Sequence, residues 1–248
     1  MLDTKIAIVT STIGRQTLHQ TIASVKNQTI ACKHYVFVHG KEHWPHAKAI
    51  LDQYPDVEAV YLPNNNGGNG YAMAPVFALA PFVVSEFLTC YVDDDNWIEP
   101  SHCSNALYMI ENYKLDWAFS LRKIVDNQGV YLCEDDCESI GLFTNIYSTH
   151  LVDNTCYSLR TEVARRYAHT WYIPRVSDRT FLAELMKHQL PCACTGASTA
   201  NYRLSADGSH SMNVEAFQQG NAKMHELFPN GLPWRQPTLF NVPQPATD

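Results

Sequence analysis

The 248-residue chain is 46% hydrophobic and 17% charged, with a formal net charge of -7. That composition suits one large folded core and is too apolar for a disordered chain. An acidic balance without a run of Lys or Arg excludes nucleic acid as a partner held by overall charge, which needs clustered cations to displace counterions.

The N-terminal residues lead into an apolar run too short for a secretory core, and no stretch approaches a bilayer-crossing length, so the expected location is cytoplasmic. There the cysteines are thiols by default. Cys133-x3-Cys137 and Cys192-x-Cys194 lack the usual spacing of a zinc site.

In chain order, residues 6–10 form a continuous apolar, β-branched run, as in a strand buried on both faces. Leu18, Ile22 and Val25 then recur at helical spacing. Residues 35–38 and 59–62 read as the second and third strands, with a short helix over 45–53 between them. This βαβαβ order predicts an α/β fold with a doubly wound, mostly parallel sheet, whose ligands sit beyond the carboxyl ends of the strands. An Asn- and Gly-rich run at 64–70 leads into a helix over 72–82, and residues 87–92 make the fourth strand. A helix over 100–112 and a strand near 117–124 follow. From 126 to 153 the pattern dissolves into turns and acidic residues. Helices resume at 160–168 and 178–188, residues 202–204 read as a late strand, and 229–248 read as a Pro-rich tail on the surface or on a partner.

Asp93, Asp94 and Asp95 follow the fourth strand at once. Adjacent carboxylates repel and raise one another's pKa. If the segment is extended, Asp93 and Asp95 project to one side and Asp94 to the other. Two converging carboxylates at the working edge of a parallel sheet suit Mn2+ or Mg2+, which can neutralise a diphosphate leaving group. A plain acidic turn capping the next helix is the competing explanation, and the position after a buried strand favours the cation.

Residues 6–29, the run 64–70 before an Ala-rich helix, and Tyr91-Val92-Asp93-Asp94-Asp95-Asn96 together resemble the A-fold glycosyltransferases of family 2. The resemblance implies a glycosyltransferase A-type domain over 1–228, with a Rossmann-like nucleotide-sugar-binding half at 1–125, an acceptor half at 126–228 and the tail beyond. It implies sugar transfer from a nucleotide-sugar donor to a glycan or lipid-linked acceptor, with peripheral membrane association through the acceptor and self-association both compatible. On the same ground Asp95 contacts the metal most directly, Asp93 the metal or the ribose, and Thr10, Thr12 and Asn66 the donor. Arg15, His39 and Asp94, at the ends of the first, second and fourth strands, are further donor candidates. The chain departs from the family at Ser11-Thr12-Ile13-Gly14-Arg15, where Pro-x-Tyr-Asn is usual, and at His39-Gly40-Lys41, where an acidic residue usually reads the base.

Inverting transfer needs a general base at the acceptor hydroxyl. The segment 176–181 is similar to the acidic helix start that supplies it, making Asp178 the base candidate, with Ser177 where a Glu is usual. A simple N-cap is the alternative, and a helix N-terminus would lower the pKa of such a group. The resemblance also makes His210 a metal ligand. Asp153, Asn154, Trp171 and Tyr172 are acceptor candidates, although aromatic residues are more often core. Arg203 or Lys223 could contact the diphosphate, although each reads as an ordinary surface cation first, and the acidic run 134–138 reads as a solvated loop before a second cation site. A sugar nucleotidyltransferase and a non-catalytic nucleotide-sugar-binding module are the rival functions. The first calls for a Gly-rich basic loop after strand one, where this chain has a single glycine within 11–15.

Overall fold

The structure is a computed structural model that describes residues 4–205 and 212–242. The leading unit is β1 (Ile6–Thr12), α1 (Leu18–Lys26), β2 (Cys32–His39), α2 (Trp44–Leu51) and β3 (Glu58–Leu62). Next come α3 (Ala74–Leu79), β4 (Leu88–Tyr91), β5 (Trp97–Ile98), α4 (His102–Tyr113) and β6 (Trp117–Val125). The remainder holds β7 (Tyr131–Glu134), β8 (Tyr157–Arg160), α5 (Thr161–Tyr167), α6 (Ser177–Lys187), β9 (Cys192–Arg203), α7 (Val214–Leu227) and β10 (Thr238–Phe240).

Every residue of β1 is buried, because helices cover both faces of the sheet. Ile6 and Ile8 pack with Val25 of α1 and with Met109 and Ile110 of α4. Ala7 and Val9 point the other way, into the largest core, with Phe37, Phe77, Trp171 and Phe181. The alternation along one strand thus divides its side chains between two cores.

The sheet order is β10-β9-β6-β8-β4-β1-β2-β3. β1 pairs in parallel with both β2 and β4, so the chain grows outward to β3 and then returns to the opposite side of β1. That reversal is a topological switch point, and a crevice opens there beyond the carboxyl ends of β1 and β4. The second half is mixed: β8 runs antiparallel to β4 and β6, while β9 runs parallel to β6.

The expected α/β class and doubly wound first half are present; the second half corrects several expectations. Residues 126–153 contain β7 and a buried ionic cluster. β9 occupies twelve residues, far beyond the short strand expected at 202–204, and α7 was not foreseen. The C-terminal stretch does more than coat the surface: Trp234 is fully buried, and β10 adds to β9 as an antiparallel edge. Among the described residues no helix is long and apolar enough to cross a membrane.

Candidate active site

The last sheet bond on this edge of β4 runs from the Val92 N–H to the Val9 C=O at 2.9 Å, so Asp93 leaves the sheet beside the end of β1. A turn follows, with the Asn96 N–H on the Asp93 C=O at 3.2 Å. The turn cancels the alternation expected of an extended segment, and Asp93, Asp94 and Asp95 all line one cleft of about 830 Å³. That volume lies in the range of small-molecule sites.

Each carboxylate has its own partners. Asp94 is nearly inaccessible and accepts from the Thr12 hydroxyl at 2.6 Å and the Arg15 guanidinium at 3.0 Å. Arg15 also donates to Asp95 at 2.8 Å, so one cation bridges the two carboxylates. Gly14, at φ +83, lets the chain turn sharply between Thr12 and Arg15; a Cβ there would meet the Ala47 backbone nitrogen at 2.7 Å. Among the described residues no cation lies this close to Asp93; it accepts from the Asn154 amide at 2.8 Å and the Asn96 amide at 3.4 Å. Burial, and then the charges of Asp95 and Asp153, push the Asp93 carboxyl well above the ordinary range. Burial also raises Asp94 and Asp95, with Arg15 opposing it at both.

Arg203 fixes the turn from β9. Its guanidinium donates to the Asp95 carbonyl at 2.8 Å and lies 5.1 Å from the centre of the Trp97 ring, while its backbone N–H bonds the Asn96 side chain at 2.9 Å. The cleft is completed by Ser11, by His39 at the end of β2 and His43 beyond it, and by the Gly-rich loop at Asn65, Gly67 and Gly68. His39 is buried at the cleft wall, and neither ring nitrogen has a hydrogen-bond partner among the described residues. Burial first, then His43, lowers its pKa, so the neutral imidazole offers one donor and one acceptor.

The other sequence candidates fall in varied places. Thr10 is fully buried inside the sheet, where its hydroxyl meets His34 Nε2 at 2.9 Å; it is Ser11 and Thr12 that reach the cleft. Asn66 is exposed and off the cleft lining, whereas its neighbour Asn65 is on it. Asn154 orients Asp93. Asp153 is held by Arg122 at 2.6 Å and caps the short turn after it through the Thr155 N–H at 2.9 Å, so its carboxylate is already engaged. Trp171 is fully inaccessible, stacked on Phe181 at 4.3 Å and edge-on to Phe77 and Tyr91; it is core and no acceptor contact. His210 lies outside the described residues.

Asp178 sits in the first turn of α6, accepting the Arg179 N–H at 2.7 Å. Its pKa is raised, against the expectation from the helix terminus: burial outweighs that N–H, and the Asp153 charge adds to it. Asp178 is off the cleft lining, beside the chain of contacts that runs from Asp153 through Asn154 to Asp93.

No local pattern marks Arg122, an arginine inside the apolar strand β6. It is 3% exposed and pairs with Asp135 at 2.8 Å, Glu138 at 2.7 Å and Asp153 at 2.6 Å. The run 134–138 is therefore no solvated loop; Asp136 likewise is buried and receives Trp234 Nε1 and Arg235 Nε, each at 2.7 Å.

Among the described residues no group of three or more His, Cys, Asp or Glu side chains is arranged to hold a metal ion. Asp93 and Asp95 remain as a two-carboxylate set. Mg2+ and Mn2+ accept such a set when phosphate oxygens complete the shell.

No protein-family profile matches the chain, and no curated protein sequence matches it. Solved structures do. S. aureus TarS 1-349 in complex with UDP-GlcNAc superposes with a TM-score of 0.60 at 13% identity, over 91% of this chain and 73% of that one. The mannosyltransferase PcManGT from Pyrobaculum calidifontis, in complex with GDP-Man and Mn2+, gives 0.55 at 8% identity, over 83% of this chain and 59% of that one. This chain has the glycosyltransferase A-type fold.

Proposed function

We propose that the chain is a metal-dependent, inverting glycosyltransferase of the family 2 type, moving a sugar from a nucleotide-sugar donor to a glycan or lipid-linked acceptor. The observation that carries this reading is the acidic turn 93–95, brought into a cleft at the switch point of the sheet. Fold neighbours crystallised with UDP-GlcNAc and with GDP-Man and Mn2+ support it.

In this reading Asp93 and Asp95 hold Mn2+ or Mg2+, which when bound stabilises the charge of the departing diphosphate. Asn154 aims Asp93, and Arg203 fixes the backbone of Asp95. Arg15, now bridging Asp94 and Asp95, is placed to exchange those contacts for phosphate oxygens. His39, His43 and Asn65 form the wall that receives the base and ribose, with His39 supplying a neutral donor and acceptor. Asp178 takes the acceptor proton; its raised pKa brings a carboxylate nearer the operating pH of a general base.

The test is incubation of the purified protein with UDP- and GDP-sugars, measuring free UDP or GDP with Mn2+ and with a chelator. Cation-dependent release of one nucleotide is expected. Donor-independent silence across the panel, with no thermal shift from any nucleotide, would remove the reading.

A further inference from the structure

Two loops meet at the rim of the cleft. The first carries Tyr71 between the cleft-lining residues Gly70 and Ala72. The second carries Tyr172, six positions before Asp178. The two rings stack with centres 4.8 Å apart and planes 30° apart, and Tyr172 remains 55% exposed. The loops are also joined through the backbone, where the Arg175 N–H donates to the Gly70 C=O at 2.8 Å.

The presentation of Tyr172 is fixed from below. Its backbone, at φ -78 and ψ 57, is the apex of an inverse γ-turn closed by the Ile173 N–H on the Trp171 C=O at 2.7 Å. The preceding Trp171 is locked between Phe77 of α3 and Phe181 of α6. A large aromatic side chain is thus held outward on a closely packed base, backed by a second ring.

We infer that the Tyr71–Tyr172 pair is the acceptor platform, binding a pyranose ring of the acceptor by its C–H face. The inference rests on the proposed function and deepens it by assigning the acceptor site. Position supports it: the pair lies between the cleft wall at Gly70–Ala72 and the start of α6, where the proposed base stands. Chemistry supports it as well. A tyrosine face matches the apolar face of a sugar while its hydroxyl and the surrounding Gly- and Asn-rich backbone serve the sugar's rim of hydroxyls. The outward apolar face is that of one ring backed by a second, which suits a sugar ring better than a lipid chain.

Saturation-transfer NMR with the methyl glycosides of glucose, galactose, mannose and N-acetylglucosamine as probes tests the site. The wild-type protein is expected to saturate the ring C–H protons of at least one probe. Tyr172→Ala should weaken that binding roughly 3- to 10-fold, the usual worth of an aromatic stack. Tyr172→Phe and Tyr172→Trp should retain it, and Tyr71→Ala should weaken it by removing the backing ring. No saturation of any probe by the wild type, or equal signals from Tyr172→Ala, overturns the inference. Thermal shifts with UDP and GDP, run on the same samples, separate the two claims. Nucleotide binding without glycoside binding sinks the platform alone. Glycoside binding lost in Tyr172→Ala, with no nucleotide bound, upholds the pair as a sugar platform but sinks the donor reading, and with it the acceptor role.

Discussion

Asp178 shows how position alone misleads about a single group. A helix N-terminus lowers a carboxyl pKa and burial raises it; here burial prevails and the pKa is raised. A general base works ionised, so transfer should climb with pH to a plateau, with its midpoint above the ordinary carboxylate value of about 4. Asp178→Asn should lower kcat by roughly 10²- to 10⁴-fold while leaving nucleotide affinity intact, as read from rate and calorimetry together. Wild-type rates in that variant would dismiss Asp178 as the base. The acidic triplet itself was legible from its place after an apolar strand. The partners were not: a turn in place of extended backbone brings Asp94 into the cleft, and two further residues of β1 carry the strand past Thr10, which becomes interior. Asn154 was visible as a polar residue but not as a ligand of Asp93, because no local pattern encodes a contact 61 residues away.

At the level of elements, periodicity served where strands were continuous and β-branched and failed where they were built from small or polar residues. β9 reads Cys-Ala-Cys-Thr-Gly-Ala-Ser-Thr-Ala-Asn-Tyr-Arg, which has no apolar alternation, yet it is paired with β6, β5 and β10. Its burial comes from its neighbours, which a single strand's sequence does not reveal. The acidic run 134–138 was misjudged for a related reason: its counter-charges, Arg122 and Arg235, come from a different strand and from the C-terminal stretch. Arg122 joins β6 to the segment ending at Asp153, next to Asn154 and so to Asp93. Arg122→Leu leaves the buried Asp135 and Asp153 with no guanidinium, while Glu138 beside them keeps only its longer contact to Arg179 at 3.5 Å. Urea unfolding should show a loss on the order of 3–5 kcal/mol. A loss below about 1 kcal/mol would mean the cluster relaxes into water and does not organise the site.

For the whole molecule, histidines held neutral by burial link stability to pH. His34 is depressed to about 3 and His102 to about 4. Below the ordinary histidine value near 6.5 the unfolded chain takes up protons that the folded one refuses, so acidification favours unfolding. The carboxyls raised by burial act oppositely, since their protonation in the folded state adds stability as pH falls. A comparison of variants separates the two: His34→Gln with His102→Gln should lose less melting temperature between about pH 7 and about pH 5 than the wild type. An identical slope would show that neither histidine contributes. On the proposed reading, cation, nucleotide and acceptor gather around one switch point, and its central claim is that the acidic turn binds a diphosphate through a divalent ion. Calorimetric titration of UDP and of GDP into wild type and Asp95→Asn, each with Mn2+ and with a chelator, tests that claim most directly. One nucleotide should bind the wild type at least about tenfold tighter with Mn2+, and that gain should vanish in the variant. Equal gains in both proteins, or no nucleotide binding to the wild type, would contradict the account.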